Sequence, residues 1–277
     1  MSRAARRAAA CLLALAAAVA PGGAADPGPG RAEKRLLDLV NGERSRKGIP
    51  PLVWHPVLAE MARRHAEDMR EAGRISHRSS RDGSGYNERL ARSGLKASAG
   101  AENVAFAPDV ERAHRGLMES PGHRANILDR DLTAVGIGIV RDEDNDAVYV
   151  AQNFAAPLED LTDEEAEQKV RSALLAARRR SGRPELEEDR SLSRRMARLL
   201  EELVEDDSVE VGSTELPGPG SIVAYTSMDP EELPGEAARR VRDPAAAFGL
   251  AVAFRRTPSY PFGAYWVVLA LAGRPSP

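Results

Sequence analysis

Cysteine is nearly absent from this chain. Its one copy, Cys11, falls within the first 25 of 277 residues. A product that loses that segment has no thiol, which excludes both a disulfide framework and a cysteine nucleophile and leaves packing to hold the fold. No large excess of positive charge is present either, the formal net charge being −3. Nucleic acid is therefore an unexpected partner. The apolar run at residues 8–20 is shorter than the roughly 20 residues needed to span a bilayer, and Pro21, Gly22 and Gly23 end any helix there. Histidine is missing from the whole second half: His55, His65, His77, His114 and His123 all precede residue 124. The second half thus lacks the side chain best suited to metal ligation and near-neutral proton transfer.

What is present is the order of a secretory signal. Arg3, Arg6 and Arg7 precede the apolar run, and small residues end at Ala24 and Ala25. The expectation is a signal peptide over residues 1–25, maturation at Asp26, and a protein that is secreted or otherwise extracytoplasmic, with no membrane span after cleavage. Losing three of the 39 basic residues and no acidic one takes the formal charge from −3 to −6. Hydrophobic content of 42% and charged content of 29% are ordinary for folded chains. The length leaves room for two domains.

Leu36, Leu37, Leu39 and Val40 begin a helical apolar pattern that Gly48 and Pro50 stop. Leu58, Met61, Ala62, His65, Ala66 and Met69 form a second amphipathic stripe, ending at Gly73. Residues 135–140 and 147–154 read as two strands joined by an acidic turn. Thr162 and Glu165 form a capping-box pattern that opens a new helix. The same order of elements then repeats. At a constant offset of 134, Val40, Arg44, Gly48, Pro50 and Leu58 correspond to Leu174, Arg178, Gly182, Pro184 and Leu192. Residues 31–157 and 162–274 thus read as two copies of one domain.

His65 lies on the apolar stripe, its counterpart is Leu199, and a packed core histidine is expected. His55 and His114 read as surface residues. His77, Glu102 and His123 fall in turn-rich segments, and their spacing matches no local metal motif. The segment from Ser221 aligns with that from Glu102, which puts a serine where the acid stands. Tyr260, Phe262, Tyr265 and Trp266 are either an exposed binding face or core.

The segments SHRSS, GAENVA and SPGHRANIL, with LLDLVNGERSRKGIPPL, VGIGIV and YVAQNF, resemble the bacterial form of the CAP superfamily, the fold of cysteine-rich secretory proteins, antigens and pathogenesis-related proteins. The signal segment and this motif variant point to a bacterium. The resemblance implies an α+β fold, a three-layer α/β/α sandwich with a cleft near one end of the sheet, followed by a second, degenerate CAP-like copy. It also implies that two histidines and two glutamates face the cleft and can hold a divalent metal. By matching motif, His77, Glu102 and His123 are three of these. Ser120 stands where the second glutamate is expected, with Glu119 beside it and Leu117 in place of a tryptophan.

Two imidazoles and a carboxylate with an open position suit zinc and would acidify a bound water. The same residues also suit a buried hydrogen-bond network without metal. Two functions follow. One is an extracytoplasmic binding module for a lipid, peptide, cell-wall component or protein. The other is a metal-dependent, peptidase-like hydrolase in which His77, Glu102 and His123 are ligands or base. A metal-free version with Ser76 or Ser120 as nucleophile lacks a recognisable activation setting.

Overall fold

The computed structural model describes residues 28–212, 216 and 219–273. The expected signal peptide, Cys11 and the maturation point at Asp26 lie outside them. No helix among the described residues is long and apolar enough to cross a membrane.

The first half runs α1 (Arg31–Arg46), β1 (Val53–Trp54), α2 (Pro56–Ala72), α3 (Tyr86–Arg92), β2 (Ala97–Ala107), α4 (Val110–Glu119), α5 (Pro121–Leu128), β3 (Ala134–Asp142) and β4 (Ala147–Pro157). The sheet order is β1-β3-β4-β2, with β1 parallel to β3 and the other pairs antiparallel. Alternation along the strands sends side chains to two faces. Val135, Ile137, Val148, Val150 and Phe154 meet Leu36 and Val40 of α1, Val110 and Leu117 of α4 and Ile127 of α5. Val104, Tyr149 and Ala151 meet Ala62, Ala66 and Met69 of α2 on the other face. Those faces make the three layers.

Helix α2 opens with Pro56 in its first turn and closes on Gly73 in the left-handed region at φ +63°. It lies so close to β3 that a Cβ on Gly136 would sit 1.9 Å from the Ala59 nitrogen, and one on Gly138 would sit 2.3 Å from the Ala62 carbonyl carbon. Only glycine lets a helix and a strand approach this closely.

The second half runs α6 (Asp163–Arg180), β5 (Glu187–Glu188), α7 (Arg190–Glu205), β6 (Gly220–Ser227), α8 (Gly235–Arg240), β7 (Ala247–Arg255) and β8 (Ala264–Ala272). Its strand order is β5-β7-β8-β6, with the same parallel and antiparallel senses as in the first sheet. The Thr162–Glu165 capping box is formed at the start of α6.

One buried arginine ties each half together. Arg44, 1% exposed, donates to the carbonyls of Pro50 at 2.7 Å, Ile127 at 3.0 Å, Asp129 at 2.7 Å and Leu132 at 3.0 Å. Arg178 does the same for Pro184, Val241, Asp243 and Ala245, at 2.8, 2.5, 2.8 and 3.0 Å. A guanidinium carries five donors in a fixed fork, so one side chain satisfies four carbonyls from two separate segments at once.

Three readings of the sequence need correction. The segment around Glu102 is not a turn but the middle of β2, an eleven-residue edge strand paired with β4. Its alanines and glycine carry little strand propensity, and pairing alone makes it extended. His123 lies in the first turn of α5 rather than in a loop. His114 is buried, not on the surface, because α4 lays that face against α1.

Candidate functional site

Glu102 is the centre of the arrangement. It projects from the α2 side of β2, and its side chain is only 2% exposed. A carboxylate in such a place needs compensating donors. It has two strong ones. Oε1 accepts from His77 Nδ1 at 3.0 Å, and Oε2 accepts from Nη2 of Arg89 on α3. Asn153 on β4, its amide turned so that both ends find partners, adds a donor to Oε2 at 3.2 Å.

Arg89 is itself fixed from two more sides, donating through Nη1 to the carbonyls of Ser84 at 2.7 Å and His77 at 3.2 Å. It therefore binds the loop that carries His77 as well as the acid that holds the imidazole. His65 completes the floor. Its ring is fully buried, Nε2 meets the Ser76 carbonyl at 2.8 Å and lies 3.8 Å from Glu102 Oε1. With the carbonyl as acceptor, Nε2 carries the proton.

His77 stands at the surface, 58% exposed, with Nδ1 spent on Glu102 and Nε2 directed away from it. The hydrogen bond to Glu102 raises its pKa above the ordinary histidine value, against the opposing effect of partial burial. The His123 ring lies 6.3 Å from that of His77, centre to centre, at 46°. Burial, then the neighbouring imidazole, lowers its pKa. The two imidazoles thus differ in charge preference.

Beneath His123 runs an amide network. Asn103 donates to the His123 carbonyl at 3.1 Å and to Gln152 Oε1 at 3.0 Å. Asn126 donates to Asn103 Oδ1 at 2.9 Å and to the Glu102 carbonyl at 3.4 Å. These bonds pin the start of α5 to β2. Burial of Asn103, Gln152 and Asn153 is otherwise costly, so their mutual bonding is what permits it.

His77 and Glu102 are thus in direct contact, while His123 reaches His77 but is joined to the acid only through the amide network. Arg89, Asn103, Asn126 and Asn153 carry no sequence signal of a site role, and His65, expected as a packed core histidine, is buried as expected but also borders the acid. Arg89 sits three residues after Tyr86 on a short amphipathic helix, and nothing local marks it. A cleft of about 710 Å³ opens between α2, α3 and the loop at residues 79–84. His65 and Arg89 line it, together with Val57, Met61, Arg64 and Arg92, whereas His77, Glu102 and His123 lie outside its lining.

The donor set does not fit a metal in this arrangement. Both oxygens of Glu102 are engaged, one of them by a cation that would repel a second one, and among the described residues no three His, Cys, Asp or Glu side chains are grouped to hold an ion. Ser76 Oγ accepts from the Arg78 amide in a local turn. The chemistry on offer is that of an imidazole held by a buried carboxylate in one tautomer, with its second nitrogen presented outward.

Strand register places the second-half counterparts. Glu102 faces Asn153 in the first sheet, and the equivalent pair in the second is Ile222 with Ala270. The expected alignment of Glu102 with Ser221 is therefore out by one residue, a slip that would move the position to the other face of the strand. Ile222 and Ala270 pack with the α7 side and Val223 and Leu269 with the α6 side. Five polar positions of the first-half network are apolar in the second: His65 is matched by Leu199, Glu102 by Ile222, Asn103 by Val223, Gln152 by Leu269 and Asn153 by Ala270.

Residues 37–154 match the family of cysteine-rich secretory proteins known as CAP. The chain is similar to the membrane protein YlbC of Bacillus subtilis, 37% identical over 123 residues, which cover 44% of this chain and 34% of that protein. It is also similar to YkwD of the same organism, 32% identical over 109 residues, or 39% and 42% of the two chains. The chain thus spans less than half the length of the curated relatives it matches. Among solved structures, an extracellular SCP-domain protein of Bacillus anthracis is 33% identical, with 45% of this chain and 40% of that one covered and a TM-score of 0.40. The motif segments, the α/β/α layering and the family match agree over residues 37–154, and this first half of the chain is a CAP domain similar to those of its bacterial relatives.

Proposed function

We propose that this protein is an exported, non-catalytic binding module that uses His77 and His123 to recognise an extracytoplasmic ligand: a lipid, a peptide, a cell-wall component or another protein. One observation carries the reading: Glu102 is consumed by Arg89 and His77. A carboxylate so engaged, its charge offset by a guanidinium, is suited to orienting an imidazole rather than to binding a metal or activating a water. The outward Nε2 of His77, protonated on mild acidification, favours an anionic or acceptor-rich group on the ligand. The second half, with its polar positions replaced by hydrophobes, is read as a degenerate CAP-like copy that serves the first structurally. A signal peptide and secretion accord with the extracellular Bacillus anthracis protein that the chain resembles.

The rival is a metal-dependent, peptidase-like hydrolase using the same residues. Calorimetric titration of the full chain with zinc separates the two. The expected result is the same heat for the wild type and for the His77→Ala/His123→Ala variant. A saturable heat seen only with the wild type would install the metal reading instead. Arrays of lipids, glycans and peptides should then retain the wild type and lose the double variant, and retention of neither would sink the binding proposal.

A further inference from the structure

The loop between β7 and β8, residues 256–263, leaves the second half and rests on the first. It is a stiff finger. Pro258 and Pro261 restrict it, Thr257 and Tyr260 exchange backbone bonds at 3.2 and 3.1 Å, and Asp207 at the end of α7 accepts from Thr257 Oγ1 at 2.5 Å and from the Ser259 amide at 2.8 Å. Gly263 donates back to the Tyr260 carbonyl at 2.9 Å.

At its tip, Phe262 joins a first-half core cluster made of Leu58, Met61, Leu90, Ala97, Ala134 and Ala155, with Tyr86 and Leu95 around it. Its ring and that of Tyr86 meet over Gly100. A Cβ on Gly100 would lie 2.8 Å from Tyr86 Cε1 and 3.0 Å from Phe262 Cε1, so glycine is what lets both rings lie on the β2 backbone. Tyr86 donates its hydroxyl to the Phe154 carbonyl at 2.5 Å. Beside the tip, Arg256 donates to the Leu95 carbonyl at 2.8 Å, and Lys96, lying over the rings of Phe254 and Tyr265, reaches the Leu161 carbonyl.

These contacts converge on the two elements that build the Glu102 pair. Tyr86 opens α3, one helical turn before Arg89, and Gly100 lies two residues before Glu102 on β2. We infer that Phe262 is a positioning residue for the first-half site: the finger of the second half wedges α3 against β2 and so keeps Arg89 seated on Glu102. The degenerate copy thereby has a specific task, that of an internal partner permanently docked on its sister, and the surface it occupies on the first half is an interface rather than open face. The inference rests on the Arg89–Glu102 geometry and is independent of what ligand the site takes.

Arginine side-chain NMR on the full-length isotope-labelled protein tests it, because guanidinium protons locked in a buried bond exchange slowly with water. The expected result is that Phe262→Ala speeds exchange at Arg89 by about tenfold or more, the signature of a local opening, while Arg44, locked on backbone carbonyls in the same half, is unchanged. Phe262→Leu should restore most of the protection at Arg89. No change at Arg89, or equal loosening of Arg89 and Arg44, overturns the proposal, since the second outcome reports only general destabilisation. If Phe262→Ala does not fold, Arg256→Ala and the milder truncation Phe262→Val are read by the same comparison, and protection at Arg89 equal to wild type in both overturns it.

Discussion

Replacing Arg44 by methionine tests the account of how the first half is held together. The side chain is almost fully buried and its volume is roughly kept, so the change removes donors rather than opening a large cavity. Of its four acceptors, the Ile127 and Leu132 carbonyls are fully buried, and those of Pro50 and Asp129 are partly so. The partly buried pair can turn to water. The buried pair cannot, and each unsatisfied carbonyl costs about 1–3 kcal/mol. Some of this is returned because methionine carries no charge to desolvate, and burial already presses the Arg44 pKa downward. The net expectation is a loss of about 3 kcal/mol. For a unit of this size that lowers the melting midpoint by about 10–15 °C. Urea denaturation of the full chain, followed by a first-half probe such as Trp54, should show a lower midpoint at unchanged slope. Arg44→Lys should fall most of the way to methionine, since one ammonium cannot span four carbonyls in two segments. A loss below about 1 kcal/mol in Arg44→Met would refute the reasoning, because two buried acceptors would then have found other partners.

Arg178→Met should destabilise the second half by a similar amount, read through Trp266, and the two losses should add because the arginines share no acceptor. In an NMR titration, His77 should titrate above the ordinary histidine value of 6.5 and His123 below it. Glu102→Gln should bring His77 back down. By linkage, His77 stabilises the fold fully below about pH 6.5 and loses that contribution as pH rises through its raised folded value, whereas His123 works against the fold on acidification. A His77 midpoint at or below that of His123 would contradict the hydrogen bond to Glu102. Asn103→Ala should cost about 1–3 kcal/mol and free the start of α5, measured as faster amide exchange at residues 121–126. Gly136→Ala should cost at least the upper end of about 1–3 kcal/mol, because its Cβ meets helix backbone rather than a movable side chain.

Periodicity made α1, α2, α6 and the terminal hairpin legible, because their buried residues recur at the spacing of the element that carries them. The likeness of the two halves was legible for a related reason: Arg44 and Arg178 sit at one offset and make matching sets of bonds. Strand β2 was not legible. Ala97 to Ala107 is rich in alanine and glycine, and its extended form comes from pairing with β4, which no local pattern records. The single-residue slip between Glu102 and Ser221 has the same root, since small residues on an edge strand do not announce which face they occupy. Of the site, His77 and Glu102 were found through motif resemblance, and Glu102 proved to be its centre. Arg89 and the asparagine network were missed because their role exists only after α3, β2 and α5 have come together.

Members of this superfamily take their name from cysteines, yet two guanidinium forks perform the cross-linking here. Such a fastening has no redox potential. Thiol reductants cannot undo it, no oxidant or isomerase is needed to form it, and each fork locks as soon as its own carbonyls are in reach. The polypeptide should consequently attain the same fold in a reducing cytosol as in an oxidising exterior, and dithiothreitol should leave its melting midpoint where it was.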